Sequence, residues 1–374
     1  MTLPDRVFPL SESFEHQDDQ FASAFTILQE SISQRAFPAA SVAITVKDHL
    51  IALKALGRFT YESDSCNVVP ITLFDLASLT KVVATTPLAM LLYQRGLLDL
   101  DAPLAAIVPE FTGDAEKDTR RKEVTIRMLL AHSSGLPAYE KLFLKARTRD
   151  ELLRAAFTMP LSADPGSRTE YSDIGFILLG VALERLADES LDRFCQREIF
   201  APLGMVNTAF NPPKEIRGQI PPTADDRSFR HRMIQGEVQD ENASILGGVA
   251  GQAGLFSTAV DLARFAYAML FPEESVFHSE TIALFTRRES TPIGTARALG
   301  WDTPSGVSQS GKYFGSASFG HLGYTGTSLW IDDERKLSIA LLTNRTWPDC
   351  SNHAIKQIRP SFHDAVIEAI EKSE

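Results

Sequence analysis

Hydrophobic positions alternate between two periods along the chain. Phe21, Phe25, Leu28 and Ile32 recur at helical spacing, with Ala24 and Ile27 widening the stripe, and Pro38 follows the predicted helix end. Residues 39–47 (AASVAITVK) and 50–57 (LIALKALG) then read as two strands around a polar turn at Lys47, Asp48 and His49. Residues 78–95 (SLTKVVATTPLAMLLYQR) are apolar nearly all round, which predicts a buried helix that Pro87 kinks or divides.

The middle of the chain reads as helical. Thr125 is placed to cap 126–132, and Thr148 with Glu151 forms a capping box before LLRAAF. Ser172 or Asp173 precedes the apolar run IGFILLGVALERLA as its cap. A further helix is expected at 190–200, ending in the Pro202-Leu203-Gly204 turn. Residues 211–245 are polar and rich in Pro, Arg and Asp, and read as a long loop. Thr258 and Asp261 open a helix at 259–270. Strands are expected at 319–324, 328–333 and 337–343, and a closing helix at 351–372.

Strands thus lie at both ends and helices between them. The economical arrangement is α+β, with one antiparallel sheet from both ends, flanked by the terminal helices, and an inserted, mostly helical domain. This places the boundaries at 1–75 with 246–374 for the sheet domain and 76–245 for the helical one. The active site is expected at their seam, where clefts form.

Composition narrows the function. The 374 residues carry 37 basic and 48 acidic side chains, a net charge of −11, which disfavours nucleic acid as a partner. No stretch reaches the roughly 18 apolar residues of a membrane span. No basic-then-apolar leader opens the sequence, so a cytoplasmic location is expected. Cys66, Cys195 and Cys350 are widely spaced and fit reduced thiols, and the eight histidines show no metal-ligand spacing. No metal or cofactor is expected, and the sequence is silent on oligomeric state.

Three motifs carry candidate chemistry. In Ser78-Leu79-Thr80-Lys81, the i and i+3 residues share a helix face. The lysine can act as base toward the serine if desolvation lowers its pKa toward neutrality. The bland alternative is a serine cap beside a surface lysine. In Tyr171-Ser172-Asp173, a phenol on a helix-entry loop can share protons with a nearby ammonium, which lowers its pKa; alternatively the ring only lines a wall. In Gly320-His321-Leu322-Gly323-Tyr324-Thr325-Gly326-Thr327, a glycine-rich strand edge lets a substrate lie against backbone. The N–H of Tyr324 with that of Ser78 would form an oxyanion hole, and His321 would hold a substrate carboxylate or orient water. A tight hairpin is the alternative.

Together, in this order, the motifs resemble the penicillin-recognising serine hydrolases: class C β-lactamases, D-Ala-D-Ala carboxypeptidases, D-aminopeptidases and related esterases. The resemblance extends to LLAHSSGLP at 129–137, PGSRTEYSDIGFILLG at 165–180, PLGMVNTAF at 202–210 and GGVAGQAGLFSTAVDLARFA at 247–266. It implies a β-lactamase/transpeptidase-like fold and an acyl-enzyme on Ser78. Lys81 would take the serine proton, and Tyr171 would relay protons to the leaving group and the deacylating water. Asp173, His321 and Gly323 would contact substrate. Two departures stand out: Asp173 replaces the usual Asn of Tyr-x-Asn, and His321 replaces the Lys of Lys-Thr-Gly. Both disfavour anionic β-lactams and favour a small ester, amide or peptide substrate. A D-amino-acid peptidase or carboxypeptidase acting on peptidoglycan fragments, a weak β-lactamase and a catalytically silent sensor are the alternatives.

Other features have plainer readings. Gly248, Gly251 and Gly254 lack phosphate-loop spacing and suggest close helix–sheet packing. His132 is expected as an imidazolium at a helix C-terminus. Asp240-Glu241-Asn242 lies in the expected loop and borders the cleft at most.

Overall fold

The computed structural model describes residues 10–112, 118–306 and 308–372. The opening residues read for a leader lie outside these.

A six-stranded sheet forms from β1 (Ser11–Glu12), β2 (Ala39–Val46), β3 (His49–Gly57), β4 (Phe319–Leu322), β5 (Ser328–Asp332) and β6 (Leu337–Thr343). Its order is β1-β3-β2-β6-β5-β4. The join between the two ends of the chain is the antiparallel pair β2–β6, in register from Leu337 opposite Val46 to Thr343 opposite Ala40. The sheet is not wholly antiparallel, because β1 adds to β3 in parallel at the edge. A two-residue strand carries too weak a pattern to reveal that in sequence.

Helix α1 (Ala22–Ser33) buries Ala24, Phe25 and Leu28. With Phe21 and the C-terminal helix it encloses one face of the sheet. The opposite face packs against a helix at Ala259–Leu270. Burying both faces explains why β2, β5 and β6 are buried at nearly every position and are mostly apolar instead of alternating.

The buried run 78–95 is three pieces: a 3₁₀ turn at Ala77–Leu79, a π-helical turn at Lys81–Thr85, and α2 (Thr86–Gln94). Pro87 lies in the first turn of α2, where its missing N–H is tolerated. The wide turn before it relieves the clash a proline ring makes with a preceding carbonyl. Thr125, Thr148 and Thr258 cap their helices as expected. Ser172, not Asp173, caps α3 (Asp173–Ala187), its hydroxyl accepting from Gly175 N–H at 3.0 Å. That leaves the Asp173 carboxylate free for another partner.

The stretch 211–245 is more ordered than a loop. It holds a 3₁₀ turn at Lys214–Gln219, a hairpin pairing Pro222–Asp226 with Arg232–Gln235, and a helical turn at Glu241–Ile245. Asp226 explains the hairpin: its carboxylate accepts from Ser228, Phe229 and Arg230 N–H and pairs with the Arg230 guanidinium at 2.8 Å. Polar residues that satisfy a turn's own backbone look, in sequence, like loop composition. The chain closes on a helix at Ile355–Glu371.

Candidate active site

A cleft of about 830 Å³ is lined by Ser78, Tyr171, Asp173, His321, Gly323 and Tyr324, all singled out by the motifs. Lys81 lies beneath them, wholly buried.

Ser78 is delivered by a strained turn. Ala77 has φ +47°, in the left-handed region, held by its N–H donating to Asp75 Oδ1 at 2.8 Å and its carbonyl accepting from Thr80 Oγ1 at 2.7 Å. The glycine-rich edge is tied to the same segment. Thr325 Oγ1 donates to Asp75 O at 2.7 Å, and Thr327 Oγ1 donates to Leu76 O at 2.9 Å. A Cβ on Gly323 would sit 2.3 Å from Leu76 O and 1.9 Å from Thr327 Oγ1. Glycine is therefore required for the 323–327 edge to pack against the segment that carries Ser78.

The Lys81 ammonium donates to Ser78 Oγ at 3.0 Å, Asp173 Oδ1 at 2.7 Å and Gln252 O at 3.1 Å. All three of its protons are thereby placed. Gly251 seats the Gln252 carbonyl: its Cα packs on Gly180, a Cβ would meet Phe176 O at 2.1 Å, and its own carbonyl accepts from Thr85 Oγ1 at 2.7 Å. The expected close packing is real, but against a helix and not against the sheet.

The expected fall in the Lys81 pKa does not occur. Burial pushes it down, but the Asp173 carboxylate and Tyr171 more than offset this, so Lys81 is held above its ordinary value as an ammonium. Tyr171 also departs from expectation. Burial raises its phenol above the ordinary value, and Lys81 and Ser78 beside it offset this only in part. The phenol is a proton donor at neutral pH.

His321 is neutral. Burial, then Lys81 and Arg297, hold it well below the usual imidazole range. Its Nδ1 lies 2.8 Å from Leu322 O, which makes Nδ1 the protonated nitrogen and leaves Nε2 as an unpartnered acceptor. A neutral acceptor does not hold a carboxylate. His132 is likewise neutral instead of the expected imidazolium, pushed down by burial. Its Nδ1 accepts from Ser172 N–H at 3.0 Å, and its ring lies 4.5 Å from that of Tyr171. It fixes the Tyr171 loop.

Several cleft residues carry no periodic or motif signal. Arg297 lies over the Tyr171 ring at 5.3 Å, with Nη1 3.8 Å from Asp302. Tyr139 and Arg345 also line the cleft, as does Gln252 from the segment 247–266. Of Asp240-Glu241-Asn242, the two acids line it, whereas Asn242 is buried structure, accepting from Phe143 N–H and donating to Glu140 O. Among the described residues no helix is long and apolar enough to cross a membrane.

The chain is similar to known proteins along most of its length. The beta-lactamase family model matches residues 18–359. An N-acetylmuramyl-L-alanine amidase of Bacillus subtilis is 34% identical over 345 residues, covering 83% of this chain and 77% of that protein. A putative D-alanyl-D-alanine carboxypeptidase of Escherichia coli is 31% identical over 346 residues, covering 83% and 79%. In fold, the chain is similar to EstCE1, a hydrolase with promiscuous acyltransferase activity (TM-score 0.76, 21% identity, 94% of this chain and 99% of that one). It is also similar to an octameric penicillin-binding protein homologue from Pyrococcus abyssi (TM-score 0.71, 22% identity, 94% and 77%). The chain belongs to the beta-lactamase family and is a serine hydrolase of α+β, β-lactamase/transpeptidase-like fold.

Proposed function

We propose that the chain cleaves an ester or amide bond through an acyl-enzyme on Ser78. The observation that carries this reading is the Lys81 ammonium bridging Ser78 Oγ and Asp173 Oδ1. When substrate displaces water, the Lys81–Asp173 ion pair loses solvation and its proton passes from nitrogen to carboxylate. Neutral Lys81 then takes the Ser78 proton as Oγ attacks the carbonyl carbon. The oxyanion is held by the N–H groups of Ser78 and Tyr324. Tyr171 gives its proton to the leaving group and regains one from Lys81. Water, deprotonated along the same chain in reverse, releases the acid and restores Ser78.

In this reading the cleft is the seam between a sheet unit, 1–75 with 246–374, and a helical unit, 76–245. The relatives' names favour one substrate class within it: amide bonds of peptidoglycan fragments, as in N-acetylmuramyl-L-alanine or D-Ala-terminated peptides. A cytoplasmic location is part of the proposal, supported by three free cysteines, two of them exposed.

A panel of p-nitrophenyl acetate, a cephalosporin, an N-acetylmuramyl peptide and a D-Ala-D-Ala peptide tests it, with a fluorophosphonate probe read by mass. Labelling and turnover that vanish in Ser78→Ala are expected. Wild type indistinguishable from Ser78→Ala on every member overturns the reading.

A further inference from the structure

We infer that Asp75 is a positioning residue for Ser78, and that Arg230, from the hairpin 222–235, acts on the nucleophile through it. The inference rests on Ser78 being the point of attack, and it names residues outside the reacting set that determine how fast the attack runs.

Asp75 ends a short strand, Phe74–Asp75, that pairs with Leu255–Ser257. It is 2% exposed, and its main-chain oxygen accepts from Thr325 Oγ1 at 2.7 Å. Both oxygens of its carboxylate are spent on main chain. Oδ1 accepts from Ala77 N–H at 2.8 Å, and Oδ2 accepts from Gln239 N–H at 2.6 Å. Ala77 is the residue held at φ +47° directly before Ser78. Gln239 lies in the cleft wall with Asp240 and Glu241. One buried carboxylate thus fixes the turn that delivers the nucleophile against a wall of the cleft.

That wall is held from the other side by Arg230. Its Nη1 donates to Val238 O and its Nη2 to Gln239 O, each at 2.7 Å. Its Nε donates to Asp226 Oδ2 at 2.8 Å, and both side chains of this pair are buried. A continuous run of hydrogen bonds therefore leads from Asp226 and Arg230 through Gln239 to Asp75, Ala77 and the Ser78 turn. Hydrogen bonds to ionised groups are shorter and stronger than neutral ones, which suits them to fixing geometry. Burial raises the Asp75 carboxyl to about 6, opposed by the N–H groups of Ala77 and Gln239 and by the Arg230 charge. At neutral pH it is a carboxylate that accepts at both oxygens.

The consequence follows from those two acceptors. Left-handed backbone at a non-glycine residue costs free energy and persists only where its surroundings hold it. A carboxamide has one acceptor oxygen and one NH₂ group, so asparagine at position 75 would turn a donor toward one of two buried N–H groups. The turn or the wall then shifts, and a displacement of about 1 Å at a reacting atom costs about 10²-fold in rate.

The experiment follows fluorophosphonate labelling by intact mass over time in wild type, Asp75→Asn, Arg230→Gln and the double variant. Final stoichiometry counts folded sites, and the rate constant at saturating probe reports how each folded site attacks. Asp75→Asn is expected to label fully, with a rate constant lowered by about 10- to 10²-fold and an unchanged half-saturating probe concentration. Arg230→Gln is expected to lower the rate constant by about threefold or more, and the double variant to stay within about twofold of Asp75→Asn, because members of one network do not act additively. A wild-type rate constant at reduced stoichiometry, the signature of a merely structural role, overturns the inference. So does a double variant whose loss is the product of the single losses. Should Asp75→Asn fail to fold, a wild-type rate constant in Arg230→Gln overturns it and a slower one supports it. Wild type left unlabelled at Ser78 overturns the reaction itself, which keeps the two failures distinct.

Discussion

The Lys81 ammonium and the Asp173 carboxylate form an ion pair of 2.7 Å, with the lysine wholly buried and the aspartate at the cleft wall. The pair holds Lys81 in its protonated form, so the base proposed for the Ser78 proton rests in the conjugate-acid state. In the proposed mechanism Asp173 takes that proton, which then need not go to solvent.

Replacing Asp173 with Asn tests this. The carboxylate raises the Lys81 pKa, so its removal lets burial lower it, but the remaining ammonium then has to lose its proton to water. In the proposed mechanism the wild type passes this proton within the ion pair, whereas in the variant only the neutral amine is productive, so the acid limb of kcat/KM for p-nitrophenyl acetate should move to higher pH, with a loss of about tenfold or more at neutral pH. An unmoved profile would remove Asp173 from the proton path.

Lys81→Ala deletes the proposed base. General-base contributions are about 10²–10⁴-fold. Stopped-flow acylation should fall within that range while the folded circular dichroism spectrum persists. A loss below tenfold would assign the serine proton to another group.

Gly323→Ala drives a Cβ against Leu76 O and Thr327 Oγ1. Overpacking of this kind costs about 1–3 kcal/mol. It also displaces the edge that carries the Tyr324 N–H, the proposed oxyanion donor, and losing such a donor costs about 10²–10³ in kcat. The expected signature is a modest fall in Tm with a large fall in kcat and a smaller change in KM. Equal loss in both kinetic constants would point to substrate binding instead.

His363 is wholly buried, with its Nδ1 2.9 Å from Ser310 O and its ring edge-on to Phe314. Burial and Arg359 lower its pKa to about 3. The folded value lies below the unfolded one, so the unfolded chain binds the extra proton between about pH 6.5 and 3. Stability from this group is present above pH 6.5 and is lost as pH falls through that window. His363→Phe should flatten the decline of urea-unfolding free energy with falling pH by up to about 1.4 kcal/mol per pH unit relative to wild type. Parallel curves would show that the imidazole does not titrate on unfolding.

Much of the molecule was legible along the chain because the relevant physics is local. The stripe Phe21, Phe25 and Leu28, the caps Thr125, Thr148 and Thr258, and the strands joining both ends follow from side-chain period and hydrogen bonding within a few residues. Ser78 and Lys81 sit three apart, a spacing that brings them together in a helical turn, and they meet at 3.0 Å. The segment 211–245 was not legible, because its acids and arginines satisfy one another and its own turns.

What only the tertiary structure decided is the charge state of the site. Asp173 reaches Lys81 across 92 positions, Gln252 across 171, and Arg297 arrives over Tyr171 from a separate loop. A pKa is set by burial and by whichever charges the fold brings within a few ångströms, and neither is a property of a motif. The residue types for acyl transfer are written in the sequence. That Lys81 is an ammonium, His321 a neutral acceptor and Tyr171 a phenol follows from what the folded chain packs around them.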